Sequence, residues 1–324
     1  MQCVLQRLID LMKQVVLLLG GMVILFMLPG CVQGNGVVQA ARGLKAFENV
    51  TSPPARARTI TPSPIPSITP SLLPSQTLPP TFTPFVITPP STTGPWIIGY
   101  SVQGRPIELY QFGSGPVQRM IVAGIHGGNE WNTTELARKL IDHLQNHPDV
   151  IPGNKTLYIV PLLNPDGEAR SHGVDGRVNN NGVDLNRNWD YNWQADWPRN
   201  GCWIYRPVTS GKFAGSEPET ATLVSFIKTH NIDALISYHS AALGIFPAGI
   251  PPEPRSVRLA EAVAEVSPYP YPPIDTGCLF TGNMVDWAST RGIAALDIEL
   301  SDHSHTDFDI NLQILDVFLN WSDK

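Results

Sequence analysis

The sequence predicts an α/β domain whose central sheet is covered by helices on both faces. Strand-like apolar runs alternate with segments of helical periodicity from about residue 96 to the C-terminus. The runs at 120–125 and 156–163 are almost continuously apolar, as strands buried on both faces are. Clusters of Gly, Asn and Pro punctuate the elements.

In order along the chain, residues 97–102 and 107–112 read as two short strands around the turn-like break Gly104-Arg105-Pro106. The run 120–125 is the next strand. After Gly127 and Gly128, residues 133–144 place Leu136, Ala137, Leu140, Ile141 and Leu144 at helical spacing. Residues 156–163 form another buried-type strand, followed by a long polar loop over 164–215. Ser216-Glu217-Pro218-Glu219 reads as a capping box opening a helix that runs to about His230. Strands are expected at 234–238 and 294–300, and helices at 255–266, 283–291 and 309–321. No internal repeat is visible.

Composition divides the chain into three parts. Residues 1–31 read as an export segment, because Lys13 precedes an apolar run over 15–28 that is short for a membrane span. That run ends in Leu28-Pro29-Gly30-Cys31, which resembles a bacterial lipobox with Cys31 as the lipidated residue. A retained short anchor and a simple cleaved signal are the alternatives, and all three place the domain outside the cytoplasm. Residues 32–95 form a linker in which Pro, Ser and Thr dominate after Thr51 and charge nearly vanishes after Arg58. Such a stretch buries too little apolar surface to offset its ordering entropy, so an extended spacer is expected. Residues 96–324 are left for one substantial core, expected to be a monomer.

The formal charge of −6, with no basic stripe, argues against a nucleic-acid partner. Contact with a membrane is expected only through the N-terminal lipid or anchor. Cys202 and Cys278 remain in the domain, either paired in an oxidising compartment or as two buried thiols.

Polar residues at the ends of apolar strands carry the chemistry. His126 follows the run 120–125, with Glu130 shortly after; His239 follows 234–238; Glu299 lies near the end of 294–300. Ligands of open α/β sheets bind at the carboxyl ends of strands. Two imidazoles and a carboxylate converging there suit zinc, with a position left for water, and a second carboxylate can take that water's proton. A single strand-end histidine is usually structural; the convergence gives the set its meaning.

From about Gly99 onwards the domain resembles the zinc carboxypeptidases of the carboxypeptidase A/B type. The resemblance rests on His126-Gly127-Gly128-Asn129-Glu130-Trp131, Asn164-Pro165-Asp166-Gly167, Arg177 with Gly182-Val183-Asp184-Leu185-Asn186-Arg187-Asn188, Ser237-Tyr238-His239-Ser240, and Ile298-Glu299-Leu300, in that order. It implies a mixed central sheet in a carboxypeptidase-like fold. It implies one zinc per chain on His126, Glu130 and His239, and a peptide substrate cut at its C-terminal bond by metal-activated water. Glu299 would be the general base, and Arg177 would polarise the scissile carbonyl. Asn186 and Arg187 would grip the terminal carboxylate, and Val285 would lie at the base of the side-chain pocket. The alternatives are an amidase acting on cell-wall stem peptides and an inactive tethered peptide-binding module.

Three departures stand out. Glu130 lies one residue beyond the usual His-x-x-Glu spacing, which Asn129 occupies; an extra glycine in Gly127-Gly128 would absorb the shift. The tyrosine that many relatives close over substrate has no evident counterpart: counting back from Asp286-Trp287 lands near Cys278 or Phe280, with Tyr271 further off. Ala241 stands where some relatives carry a larger side chain. Val285 leans away from a Lys/Arg preference, and His303 and His305 are expected as rim contacts or solvated loop histidines.

Overall fold

A computed structural model describes residues 94–199, 201–202 and 208–323. The export segment and all but the last two residues of the linker lie outside the described residues. Among the described residues no helix is long and apolar enough to cross a membrane.

Seven strands form one mixed sheet: β1 (Trp96–Tyr100), β2 (Pro106–Gly113), β3 (Val117–Val122), β4 (Lys155–Val160), β5 (Ile232–Ser240), β6 (Ile245–Pro247) and β7 (Ala294–Leu300). Their order is β1-β2-β4-β3-β5-β7-β6. The four inner strands β4, β3, β5 and β7 run parallel; β1, β2 and β6 are antiparallel to their neighbours. Gly104, at φ +73°, closes the β1–β2 turn as the break in sequence predicted.

Side-chain alternation along the strands sorts the core into two layers. Ile121, Ala234, Ile236, Leu296 and Ile298 face helices α1 (Trp131–Asn146), α4 (Pro254–Ala264) and α6 (Phe308–Asn320). Met120, Val122, Leu235 and Ala295 face the other way, onto α3 (Pro218–Thr229) and α5 (Met284–Ser289), with Leu185 and Trp189. Both faces are therefore covered, as the near-continuous apolar runs required.

From β3 the chain passes to β4 on one side of the sheet, then crosses to β5 on the other. The carboxyl ends of β3 and β5 thus flank a topological switch point, where open α/β sheets leave a crevice.

Several local expectations are corrected. The strand expected at 120–125 lies at Val117–Val122, because Gly124 takes φ +60° and turns the chain out of the ladder. His126 consequently sits in a turn beyond the strand. The strand expected at 156–163 ends at Val160, and Leu163 instead donates its N–H to the Ala123 carbonyl. The capping box does not form. The Ser216 hydroxyl bonds Glu217 at 2.6 Å, and Glu219 turns inward to accept from the Val102 N–H and the Asn179 amide, each at 3.1 Å. Burial of Glu219 removes the side chain that capping needs, and Pro218 opens the helix by its preset φ.

Among the described strands and α-helices, two were not foreseen: the short edge strand β6 and helix α2 (Pro165–Arg170) inside the expected polar loop. The second had a readable signal, Asn164 before Pro165, and the Asn164 side chain accepts from the Gly167 N–H at 2.9 Å.

Candidate active site

Glu130 ends a 3₁₀ turn, Gly127–Glu130, that joins His126 to α1. Glycine is required at the first two positions of this turn: a Cβ on Gly128 would lie 2.0 Å from the Ser171 carbonyl oxygen, and Gly127 adopts φ +47°. The turn advances the chain so that Glu130, not Asn129, meets the histidines. Its carboxylate lies 2.7 Å from His126 Nδ1 and 3.2 Å from His239 Nδ1. His239 is the penultimate residue of β5 and sits in register with Glu299 on β7; Ser237 pairs likewise with Asp297. Period-two alternation puts these four side chains on one face of the sheet.

His126, Glu130 and His239 are buried, and one ligand atom from each lies within 4.8 Å of the other two. The outer nitrogens have partners of their own. His126 Nε2 is 3.1 Å from Asp184 Oδ1, while His239 Nε2 is 3.2 Å from Asp297 Oδ1 and 3.0 Å from Ser237 Oγ. Donation from Nε2 leaves both Nδ1 atoms as acceptors, and these are 3.3 Å apart beside a carboxylate. Facing ring nitrogens beside a carboxylate are satisfied by a cation between them or by a proton donated to Glu130. Two neutral imidazoles and a carboxylate are a donor set that fits zinc, with room for a fourth ligand from the cleft.

Charge around the cluster is tightly paired. Arg177 donates from Nη1 to Glu130 Oε1 at 3.1 Å and from Nε to Asp184 Oδ2 at 3.0 Å. Burial alone would raise Glu130 and Asp184; the adjacent histidines and Arg177 outweigh it and hold both well below the usual carboxylate range. Burial would likewise lower His239, but Asp297 and Glu130 hold it well above the ordinary histidine value. Glu299 behaves oppositely. Burial, then repulsion from Glu130, pushes it up to about 8, and its Oε2 has no hydrogen-bond partner among the described residues. A dication on the cluster would pull Glu299 down again.

The cluster opens into a cleft of about 1000 Å³. Every residue singled out in the sequence lies in its wall: His126, Glu130, His239, Arg177, Asn186, Arg187, Val285 and Glu299. Asn186 accepts from the Met284 N–H at 2.9 Å, which ties the Asn/Arg block to the start of α5. Arg187 is 6% exposed, donates from Nη1 to the Asn186 carbonyl at 2.7 Å, and leaves Nε without a hydrogen-bond partner among the described residues. Val285 is buried beside Asp286, which accepts from the Gly249 N–H at 2.6 Å and is pushed by burial to about 6.

Sequence reasoning missed Asp184, Ser237, Asp286 and Asp297. Asp184 lay inside the quoted block. Ser237 and Asp297 stand two residues before His239 and Glu299, a spacing that puts them on the same strand face. Of the two loop histidines, His303 lines the cleft and bonds Ser240 Oγ at 3.0 Å, whereas exposed His305 pairs with Asp302 at 2.6 Å. Cys202 and Cys278, left open between a bond and two thiols, form a disulfide in the cleft wall. Cys278 is thereby accounted for at the position where a closing tyrosine was sought; Phe280 and Tyr271 also line the cleft.

The chain and its fold have counterparts among known proteins. The zinc carboxypeptidase family model matches residues 85–315. Carboxypeptidase A1 of Rattus norvegicus is 30% identical over 240 residues, covering 63% of this chain and 56% of that protein. A zinc carboxypeptidase of Simulium vittatum is 30% identical over 184 residues, 49% of this chain and 58% of its own. The chain thus spans just over half the length of these relatives. Two solved structures share the fold. Murein-tripeptide amidase MpaA of Escherichia coli O157 has a TM-score of 0.52 at 23% identity, over 72% of this chain and 94% of its own. Bovine thrombin-activatable fibrinolysis inhibitor has a TM-score of 0.55 at 19% identity, over 71% and 89%. With the family model covering most of the chain and the two histidines and glutamate gathered at the switch point, the chain belongs to the zinc carboxypeptidase family.

Proposed function

We propose that this chain is a zinc-dependent peptidase that hydrolyses the bond next to a free C-terminal carboxylate. The observation that carries the reading is one cleft holding three things: the His126–Glu130–His239 cluster, Glu299 with an Oε2 that has no hydrogen-bond partner among the described residues, and the buried guanidinium of Arg187, which has no ion-pair partner among them.

His126, Glu130 and His239 hold the metal. Bound zinc supplies Lewis acidity, lowering the pKa of water and polarising a carbonyl. Glu299 takes the proton of the attacking water and returns it to the leaving amine, from a position in the cleft wall in register with His239. Arg177, fixed by Glu130 and Asp184, presents fixed positive charge to the carbonyl oxygen as it gains charge. Arg187 receives the terminal carboxylate, Asn186 holds that loop to α5, and Val285 contributes an apolar wall for the terminal side chain.

The reading extends to the chain's setting. An exported, membrane-tethered bacterial protein is in keeping with the lipobox-like Cys31 and the Pro/Ser/Thr linker, and the Cys202–Cys278 disulfide suits an oxidising compartment.

The deciding experiment measures zinc content and hydrolysis by the full chain of matched peptides with free and amidated C-termini, with cell-wall stem peptides alongside. Chelator-sensitive release of C-terminal residues from free-acid peptides alone is expected. Cleavage of stem peptides only would replace the reading with a cell-wall amidase, and a folded protein without zinc or cleavage would replace it with a binding module.

A further inference from the structure

Arg187 is held in an unusual way. It is buried, yet among the described residues no carboxylate lies within ion-pair distance of its guanidinium, and Nε has no hydrogen-bond partner. Among the described residues its contacts come from one backbone carbonyl and two aromatic faces, with the charges of Asp184 and Asp297 acting from beyond ion-pair distance. The guanidinium carbon lies 5.8 Å from the Trp197 ring centre and 5.5 Å from that of Phe280, both within cation–π reach. Aromatic faces steady a guanidinium without consuming its N–H donors, so those donors remain for a ligand.

The two aromatics belong to loops far apart in sequence, and each loop has an exposed outer edge. A strap with two fixed ends joins them. At one end Gly282 donates to the Tyr191 carbonyl at 2.9 Å and accepts from the Trp189 N–H at 2.9 Å. Gly282, at φ +60°, also passes so close to the Arg187 carbonyl that a Cβ would stand 2.4 Å from it. At the other end the Cys202–Cys278 disulfide, with a Cα–Cα distance of 4.7 Å, joins the same loops, and a Cβ on Gly201 would lie 2.0 Å from the Thr276 oxygen. Phe280 is the central residue between Cys278 and Gly282, and packs edge-on against Phe246 at 5.7 Å. Trp197 lies a few residues before Cys202 on the other loop.

We propose that Trp197 and Phe280 are positioning residues for carboxylate recognition, and that the Cys202–Cys278 crosslink fixes them against Arg187. The inference rests on the proposed role of Arg187 and adds to it how the guanidinium is aimed. Without the crosslink the strap is anchored at Gly282 alone, and Phe280 loses its fixed distance to the guanidinium. Misplacement of a binding group by about 1 Å can lower productive binding by up to about 100-fold.

The test uses the full-length zinc protein and two ligands that cannot be cleaved, 3-phenylpropanoate and 3-phenylpropanamide, titrated by calorimetry. The parent should prefer the carboxylate, and Arg187→Gln should abolish that preference. Cys202→Ser with Cys278→Ser, and separately Phe280→Leu with the crosslink intact, should each weaken carboxylate binding about 10-fold while leaving amide binding unchanged. If the double serine variant does not fold, the Phe280→Leu result decides. A carboxylate preference unchanged in these variants would overturn the positioning role alone, as would equal weakening of both ligands. Equal affinity of the parent for acid and amide would overturn carboxylate anchoring by Arg187, and the proposed function with it.

Discussion

Replacing Glu299 with glutamine should abolish turnover, leave zinc bound, and change how the metal-free protein responds to pH. Glutamine keeps the size of the side chain and removes its charge. Because Glu299 Oε2 has no partner among the described residues, the amide breaks no protein hydrogen bond there. A general base contributes about 10²–10⁴-fold to rate, or about 2.7–5.4 kcal/mol of barrier at about 1.36 kcal/mol per decade. The pH effect follows from environment. Burial, then Glu130, raises Glu299 from 4.5 to about 8 in the metal-free chain. Between those values the folded chain holds a proton that the unfolded chain has released. Stability therefore falls as pH rises through that window, by at most about 1.4 kcal/mol per pH unit, and the contribution is flat above it. Glutamine does not titrate, so the variant should gain on the parent across the same window. Denaturant unfolding of both chelator-treated proteins between about pH 5 and 8 reads the difference; zinc content and peptide hydrolysis read the rest. Parallel stability curves would refute the desolvated environment, and substantial residual turnover would remove Glu299 from the role of base.

Three further outcomes follow from the site's geometry. Glu130→Ala should lose most of the zinc measured after gel filtration whereas Asn129→Ala retains it, since only Glu130 reaches both histidines; the opposite ranking would mean the shifted motif is misassigned. Gly128→Ala drives a methyl group to 2.0 Å from a backbone oxygen that has little freedom to yield, so a loss of about 1–3 kcal/mol and weaker zinc binding are expected. A melting temperature equal to the parent's would contradict the tight turn. Asp184→Asn removes the charge between His126 and Arg177 at nearly constant size; chelator competition should report metal affinity lowered about 10–100-fold, and unchanged affinity would show that Asp184 does not orient His126.

The sequence by itself determined the α/β class, the bounds of β7, and His126, Glu130, His239 and Glu299 as the residues that meet at the cleft's centre. It could do so because these depend on local pattern: apolar runs read as buried strands, and reactive side chains beside them stand out. His239 and Glu299 needed only to lie on strands; period-two alternation then fixed their face. Glu130 rather than Asn129 followed from the sequence as an expectation, and the structure supplies its reason, a turn whose first two positions leave no room for a Cβ.

Tertiary structure decided the rest. Asp184 and Asp297 became partners of the histidines because strand pairing and a long loop brought them there, across separations that no local pattern encodes. The capping box failed for the same reason, since Glu219 found partners 117 and 40 positions away in sequence. Whether Cys202 and Cys278 meet depends on two irregular loops, which have no periodicity to read, and their closure is fixed by packing against Gly201 and Gly282. Residue chemistry is written one position at a time; the distances between those chemistries are set only when the sheet assembles.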